Sequence, residues 1–223
     1  MLLPRQGGEY YLEPYSWSFQ NYCYLDFSQG ANFTATPHQG SSYDRSLVGY
    51  WNMDESVGST AHDGSGNSND GTLYGCTWVS GKYANAVKFD GTSNYIGIAD
   101  NPILHYDEWG RLTISLWFNP YVAQNSSRII HLGYPSIGID FQGHLFFELH
   151  WADGSFNNII YDGNLPSNSW YLVTGIYDRS VQKMYVNNVL VGSYTKAGAL
   201  AFYLNGDQNV IHIGSKYGNE EFL

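Results

Sequence analysis

The sequence predicts an all-β protein, an antiparallel β-sandwich built from many short strands. Aromatic residues make up 17% of the 223 residues and charged residues only 13%, with 20 Tyr and 25 Gly. This balance is typical of strands joined by tight turns. From residue 47 onward, short apolar runs alternate with turn residues, and no run shows helical periodicity. The chain is long enough to bury the core of one full sandwich.

About a dozen candidate strands follow one another along the chain. They are residues 47–51, 86–89, 95–98, 112–118, 129–132, 137–141, 144–150, 159–161, 171–177, 183–186, 189–194 and 210–213. The pair Asp90-Gly91 predicts a hairpin between the second and third of these strands. Asn187-Asn188 stands where another hairpin needs two residues with positive φ, a conformation that Asn tolerates well.

Charge excludes some classes of partner. The 10 Lys and Arg residues face 20 Asp and Glu residues, so the net charge is −10. An acidic chain of this kind has no electrostatic footprint for nucleic acid and would be repelled by anionic membrane surfaces. No stretch reaches the ~18 apolar residues of a membrane span. Cations and neutral sugars are therefore the natural ligands, and neither nucleic acid binding nor membrane insertion is expected.

A polar loop follows the first candidate strand. Asp63, Ser65, Asn67, Asn69 and Asp70 offer carboxylate, hydroxyl and amide oxygens, and interspersed glycines allow tight turns. A calcium ion takes roughly 6–8 such oxygens at about 2.3–2.6 Å. The pattern is not that of an EF-hand, and a plain Asn/Asp/Gly turn is the alternative. The candidate calcium ligands are Asp63, Ser65, Asn67 and Asp70.

Several spaced motifs carry a resemblance to a known family. They are residues 47–71 (LVGYWNMDESVGSTAHDGSGNSNDG), 77–91 (TWVSGKYANAVKFDG), 112–120, 170–178 and 183–193. In this order they resemble the laminin-G-like domains of the concanavalin A-like lectin/glucanase superfamily, over residues 47–223. The resemblance implies a jelly roll, an extracellular or cell-surface location and a structural calcium ion near Asp63.

The two ends of the chain depart from the family pattern. Residues 1–46 form an aromatic extension, predicted to be partly β and to end in a linker. It would cover one flank of the sandwich or pair with a sheet edge. The family's last strand is expected where the sequence stops, at residues 220–223. Three alternatives follow: a longer parent protein, closure by the extension, or closure by another chain through strand addition.

Cysteine and glycosylation signals are sparse. Cys23 and Cys76 are too few for a disulfide scaffold. They either form one bridge between the extension and the domain, or stay as two isolated thiols. Asn32 and Asn125 begin glycosylation sequons, a pattern that also arises by chance in Asn-rich chains.

No catalytic residues are predicted. Retaining glycosidases need two carboxyl groups about 5–5.5 Å apart, and no E-x-D-x-x-E motif places acidic residues on one face of a strand. Glu148 stands alone in its strand, and no nucleophile signature accompanies the seven His residues. Four histidines fall in or beside strands, but their spacing does not match that of a zinc site. They are His131, His144, His150 and His212.

Recognition is therefore the leading function: a non-catalytic, extracellular module that binds a glycan or an extracellular protein. Sugar binding would use aromatic faces beside Asn and Asp side chains. The aromatic candidates are Trp109, Tyr134, Trp151 and Tyr217, although an aromatic residue in such a position is more often part of the core or the rim than a sugar platform. The alternative is a structural subunit of a filament, sheath, capsid or surface layer that binds copies of itself by strand exchange.

Overall fold

A computed structural model describes residues 47–105, 110–120, 127–201 and 209–215. These residues form fourteen strands and one short 3-10 turn, Pro102–Leu104. The strands are β1 (Thr60–Ala61), β2 (Gly71–Tyr74), β3 (Thr77–Ser80), β4 (Asn85–Lys88), β5 (Tyr95–Ala99), β6 (Leu112–Phe118), β7 (Ser127–His131), β8 (Ser136–Ile139), β9 (Leu145–His150), β10 (Phe156–Tyr161), β11 (Tyr171–Tyr177), β12 (Val181–Val186), β13 (Val189–Thr195) and β14 (Asn209–Ile213). The part of the chain described here contains no helix with the length and apolar character that a membrane span requires.

The strands form two large sheets and one small one. The larger sheet has eight strands in the order β1-β2-β5-β14-β7-β8-β9-β10, and the second has four in the order β13-β12-β11-β6. Strands β3 and β4 form a separate hairpin. Every one of these pairings is antiparallel. The architecture is the predicted antiparallel β-sandwich.

The core lies between the two large sheets. Alternate side chains of each strand point to one face of a sheet, so Ile96 and Ile98 of β5 and Leu145, Phe147 and Leu149 of β9 all face inward and are fully buried. They belong to one apolar cluster with residues of the four-stranded sheet. The remaining side chains of the eight-stranded sheet form its outer face.

Strong alternation made several strands predictable. β6 and β11 occupy the predicted residues, and β7, β8, β9, β10, β12, β13 and β14 differ only at their ends. Asn187 and Asn188 have φ values of 50° and 66° and join β12 to β13, which confirms the predicted hairpin.

One strand prediction was wrong. Residues 47–51 form no strand beyond an isolated bridge between Trp51 and Asp63. Side chains take the backbone groups of this segment instead: Asn67 Nδ2 donates to Leu47 O, and Asn69 Nδ2 donates to Val48 O. Because side chains already accept or donate the hydrogen bonds of these backbone groups, the segment does not have to pair with a neighbouring strand.

The hairpin predicted at Asp90-Gly91 does not form. β4 pairs with β3, whereas β5 pairs with β2 and β14. The carboxylate of Asp90 accepts hydrogen bonds from the backbone N–H groups of Thr92, Ser93 and Asn94. This local turn leads the chain from the small hairpin into the eight-stranded sheet.

Some predictions fall outside the described residues. They concern the extension over residues 1–46, the closing strand after residue 215, Cys23 and the sequon asparagines Asn32 and Asn125. These stay predictions. Cys76, by contrast, is a free thiol, with its Sγ 3.3 Å from the carbonyl oxygen of Tyr95. Burial raises the pKa of this thiol to about 12, so it is protonated at neutral pH.

Candidate functional site

A row of polar residues crosses the outer face of the eight-stranded sheet. The strand registers place one residue of each strand directly opposite the next. In order from β10 to β1 they are Asn158, Glu148, Ser136, His131, His212, Gly97, Thr72 and Thr60. We call this set the polar row. Every member except Gly97 has a side chain that can donate or accept hydrogen bonds.

Exposure varies along the polar row. Asn158 and Thr72 are exposed, whereas Ser136, His131 and His212 in the middle are buried. The buried His131 Nδ1 lies 2.7 Å from Ser136 Oγ, within hydrogen-bond distance. A ligand would therefore meet the row at its ends.

The β9–β10 end carries the charged residues. Glu148 Oε1 lies 3.2 Å from His150 Nε2 and 3.6 Å from Arg128 Nη2. The Glu148 and Arg128 side chains are only 15% and 11% exposed. The Arg128 guanidinium also lies 4.6 Å from the centre of the Phe146 ring, a cation–π contact. Glu148 is thus a carboxylate held between two partners, and the Arg128 guanidinium compensates its charge.

Aromatic rings stack beside this carboxylate. The rings of Tyr134 and His150 are 4.6 Å apart and inclined by 17°, and those of His150 and Phe156 are 5.4 Å apart and inclined by 21°. Phe156 is 63% exposed. Since one face of its ring lies against His150, the exposure comes from the opposite face and the ring edges. This end therefore combines a flat apolar surface with hydrogen-bonding groups.

The Asp63 loop, residues 63–70, folds around a single carboxylate. Asp63 Oδ1 accepts from the backbone N–H of Tyr50 and of Ser65, both at 2.9 Å. Asp63 Oδ2 accepts from Ser65 Oγ at 2.7 Å and from the backbone N–H of Asn69 at 2.9 Å. Asp70 Oδ1 accepts from the backbone N–H of Asp63 at 2.8 Å. The loop satisfies its own donors and acceptors.

This arrangement does not fit a calcium ion at the four predicted ligands. A carboxylate has about four lone-pair sites, and four donors already use those of Asp63. Asn67 turns its amide NH₂ group, not its oxygen, into the loop, toward Leu47 O and Ser65 Oγ. Among the residues that the structure describes, no group of three His, Cys, Asp or Glu residues could hold a metal. A bound calcium ion stays a prediction that requires rearrangement of this loop.

The aromatic candidates lie in different environments. Tyr134 belongs to the ring stack beside Glu148, whereas Trp151 is a core residue, 2% exposed, whose Nε1 donates to the Tyr177 hydroxyl. Trp109 and Tyr217 lie outside the described residues. Sequence reasoning missed Arg128 and Phe156. The alternation of residues along β7, β9 and β10 predicts which face of the sheet each side chain is on. It does not predict which residues are neighbours on that face.

Fold and site together define a class: an antiparallel jelly-roll sandwich with a polar and aromatic outer face. The sequence profile of the Laminin_G_3 family, described as the concanavalin A-like lectin/glucanases superfamily, matches residues 90–223. The chain belongs to this family. No curated protein sequence matches it.

Solved structures show the same fold. Domain 4 of AbnA, a GH43 extracellular arabinanase from Geobacillus stearothermophilus in complex with arabinotriose, is 18% identical, with a TM-score of 0.53 over 72% of this chain and 80% of that domain. A tryptophan-to-alanine mutant of HCR/D is 17% identical, with a TM-score of 0.54 over 68% of this chain. This chain spans 40% of the HCR/D length. At these identities the likeness concerns the fold.

Proposed function

We propose that the chain is a non-catalytic, extracellular recognition module that binds carbohydrate at the β9–β10 end of the polar row. The observation that carries this proposal is the exposed ring of Phe156 in a stack beside Glu148 and Asn158. A sugar ring presents an apolar face and a rim of hydroxyl groups. Phe156 fits the face, and the carboxylate and amide fit the hydroxyls.

Charge narrows the proposed ligand to neutral glycans. The net charge of −10 repels sulfated or carboxylated sugars at long range. Arg128, the cation of the site, already faces Glu148 and is almost buried. An incoming anion would have to compete with that carboxylate. The arabinotriose bound to the AbnA domain is a precedent for a sugar ligand on this fold.

The site supports recognition rather than catalysis. Glycoside hydrolysis commonly needs a pair of carboxyl groups, and Glu148 is the single acidic residue of the polar row. Its partner Arg128 is a cation that compensates its charge, and His150 lies within hydrogen-bond distance of it. A lone compensated carboxylate suits hydrogen bonding to hydroxyl groups.

The proposal is tested by calorimetry with neutral arabinan, xylan and glucan oligosaccharides. Phe156→Ala is expected to weaken binding at least about tenfold, since truncation of a stacking aromatic commonly costs more than 1 kcal/mol. Phe141→Ala is the matched control, because Phe141 is 77% exposed in the turn after β8. Absence of binding to all three glycans, or an equal loss in both variants, would overturn the proposal.

The alternative of a self-assembling structural subunit depends on the extension over residues 1–46 and on the closing strand expected at residues 220–223. Both fall outside the described residues, so this alternative stays a prediction. An extracellular protein is the second candidate ligand for the same face: in that case Phe156→Ala would weaken binding of the protein ligand, and none of the glycans would bind.

A further inference from the structure

Three exposed side chains follow one another along the outer face of β10. Phe156, Asn158 and Ile160 alternate with inward-facing residues, so all three lie on the outer face of the eight-stranded sheet. Phe156 is 63% exposed, Ile160 is 50% exposed, and Asn158 between them is exposed as well. We call these three residues the β10 strip. The glycan site proposed above uses Phe156 and Asn158, and it leaves Ile160 without a role.

The neighbouring strand leaves Ile160 uncovered. Ile160 is opposite Phe146 of β9 in the register, but the Phe146 ring turns away from it. A Cβ on Gly138 of β8 would lie 2.6 Å from Phe146 Cζ, so this ring lies over β8, on the side of β9 away from β10. The Arg128 guanidinium packs against the same ring, which is almost fully buried. The apolar surface of Ile160 is therefore open to a ligand.

The stacked rings fix the direction in which a bound chain can continue. His150 of β9 covers one face of the Phe156 ring, and Tyr134 lies against the other side of His150. The open face of Phe156 is thus turned away from β9, and β10 is the last strand of its sheet among the described residues. A glycan stacked on that face would meet the stacked rings if it continued across the sheet. If it continues along β10, it meets Asn158 and then Ile160.

The β10 strip has the shape and polarity of a short stretch of glycan. Phe156 and Ile160 are four residues apart, which is about 13 Å along a strand and more than one sugar ring spans. Apolar, amide and apolar side chains follow one another over this distance, and no residue of β10 is charged. A stable protein interface commonly takes about 800 Å² from each partner, which the side chains of a single strand do not supply by themselves. A narrow, uncharged chain fits the strip.

We propose that the site recognises a run of about three or more sugar units within a neutral glycan chain, and that Ile160 determines this length preference. The inference rests on the proposed glycan binding at Phe156. One unit stacks on Phe156, the next presents hydroxyl groups to Asn158, and a further unit packs an apolar face on Ile160. A disaccharide reaches only the first two residues. Ile160 therefore contributes to affinity only when the chain is long enough to reach it.

Calorimetry, with NMR titration for the weaker ligands, tests this proposal on the full chain with disaccharides and hexasaccharides of arabinan, xylan and glucan. The wild type is expected to bind the hexasaccharide of its preferred glycan at least about tenfold more tightly than the disaccharide. Ile160→Ala is expected to weaken hexasaccharide binding about fivefold or more and to leave disaccharide binding unchanged. Ile160→Leu keeps an apolar side chain and should bind the hexasaccharide nearly as the wild type does.

Val57→Ala is the matched control. Val57 is 76% exposed in the loop before β1, and β1 and β10 are the first and last strands in the order of the eight-stranded sheet. This variant should bind both ligands as the wild type does. Thermal melting checks that each variant is folded, which is expected because Ile160 is half exposed.

The outcomes separate this inference from the proposed function. Hexasaccharide binding that weakens in Phe156→Ala but not in Ile160→Ala would overturn the role of Ile160 and leave the glycan site in place. An equal loss for both ligands in Ile160→Ala, or the same loss in Val57→Ala, would overturn it as well. Absence of glycan binding by the wild type would overturn both proposals.

Discussion

The Asp63 loop and the polar row use the same kinds of side chain in opposite ways. In the loop, carboxylates, amides and a hydroxyl within a few residues of sequence satisfy one another and the backbone. In the row, each residue comes from a different strand, and Asn158 and Thr72 stay exposed. Residues close in sequence can all turn toward one carboxylate, whereas residues on separate strands contact only their neighbours in the sheet, so some of the row stays open to a ligand.

The largest expected effect is a loss of stability when the Asp63 loop is altered. Asp63→Ala would leave the backbone N–H groups of Tyr50, Ser65 and Asn69 without their acceptor. Hydrogen bonds to a charged group contribute about 1.5–3 kcal/mol each, so a loss of about 3 kcal/mol or more in the free energy of unfolding is expected. Urea denaturation measures it.

Asp70→Ala is the control for that prediction. Asp70 accepts one backbone N–H, from Asp63, and its other oxygen faces the exposed His62. A loss of about 1 kcal/mol is expected. Equal losses for the two variants would show that Asp63 does not hold the loop in the way described.

The second prediction concerns the row. Glu148→Ala removes the carboxylate that faces the nearly buried Arg128, and an uncompensated charge in such a place is costly. A loss of about 2 kcal/mol in unfolding free energy is expected, together with loss of glycan binding. Glu148→Gln keeps the shape and should recover part of the stability. Asp63→Ala, measured at a temperature where it stays folded, should keep glycan affinity; if it also lost affinity, the two regions would not be independent.

The difference between the regions also explains what the sequence could predict. β6 and β11 were predictable because alternation within one segment defines a strand. The polar row depends on the sheet order, in which β14 lies between β5 and β7. No local pattern encodes that neighbourhood, so Arg128 and Glu148 could not be paired from sequence. The calcium prediction did not take into account the hydrogen bonds within the Asp63 loop, and it stays a prediction.

The third prediction uses pH. Asp90 resembles Asp63 on a smaller scale: the backbone N–H groups of Ser93, Thr92 and Asn94 hold the pKa of its carboxyl well below its usual range. A lowered folded-state pKa adds stability above the unfolded pKa, and this stability is lost as pH falls from about 5 toward 1. Asp90→Asn should therefore lower the melting temperature slightly at pH 7. Because Asp90 is exposed, the effect is small, and the gap to wild type should close in acid; a constant gap would mean that ionisation plays no part.

The smallest expected effect is that of calcium on the melting temperature. It tests most directly whether the Asp63 loop and the polar row differ as described. An ion at 100 times its dissociation constant stabilises a protein by about 2.7 kcal/mol, which would raise the melting temperature by roughly 5–10 °C. Because the Asp63 carboxylate already accepts four hydrogen bonds, we expect a change of less than about 1 °C between millimolar calcium and a chelator. A rise of several degrees that disappears in Asp63→Asn would show that the loop exchanges its internal bonds for the ion. The loop would then be a ligand site like the polar row, and the contrast between the two regions would reduce to which ligand each one binds.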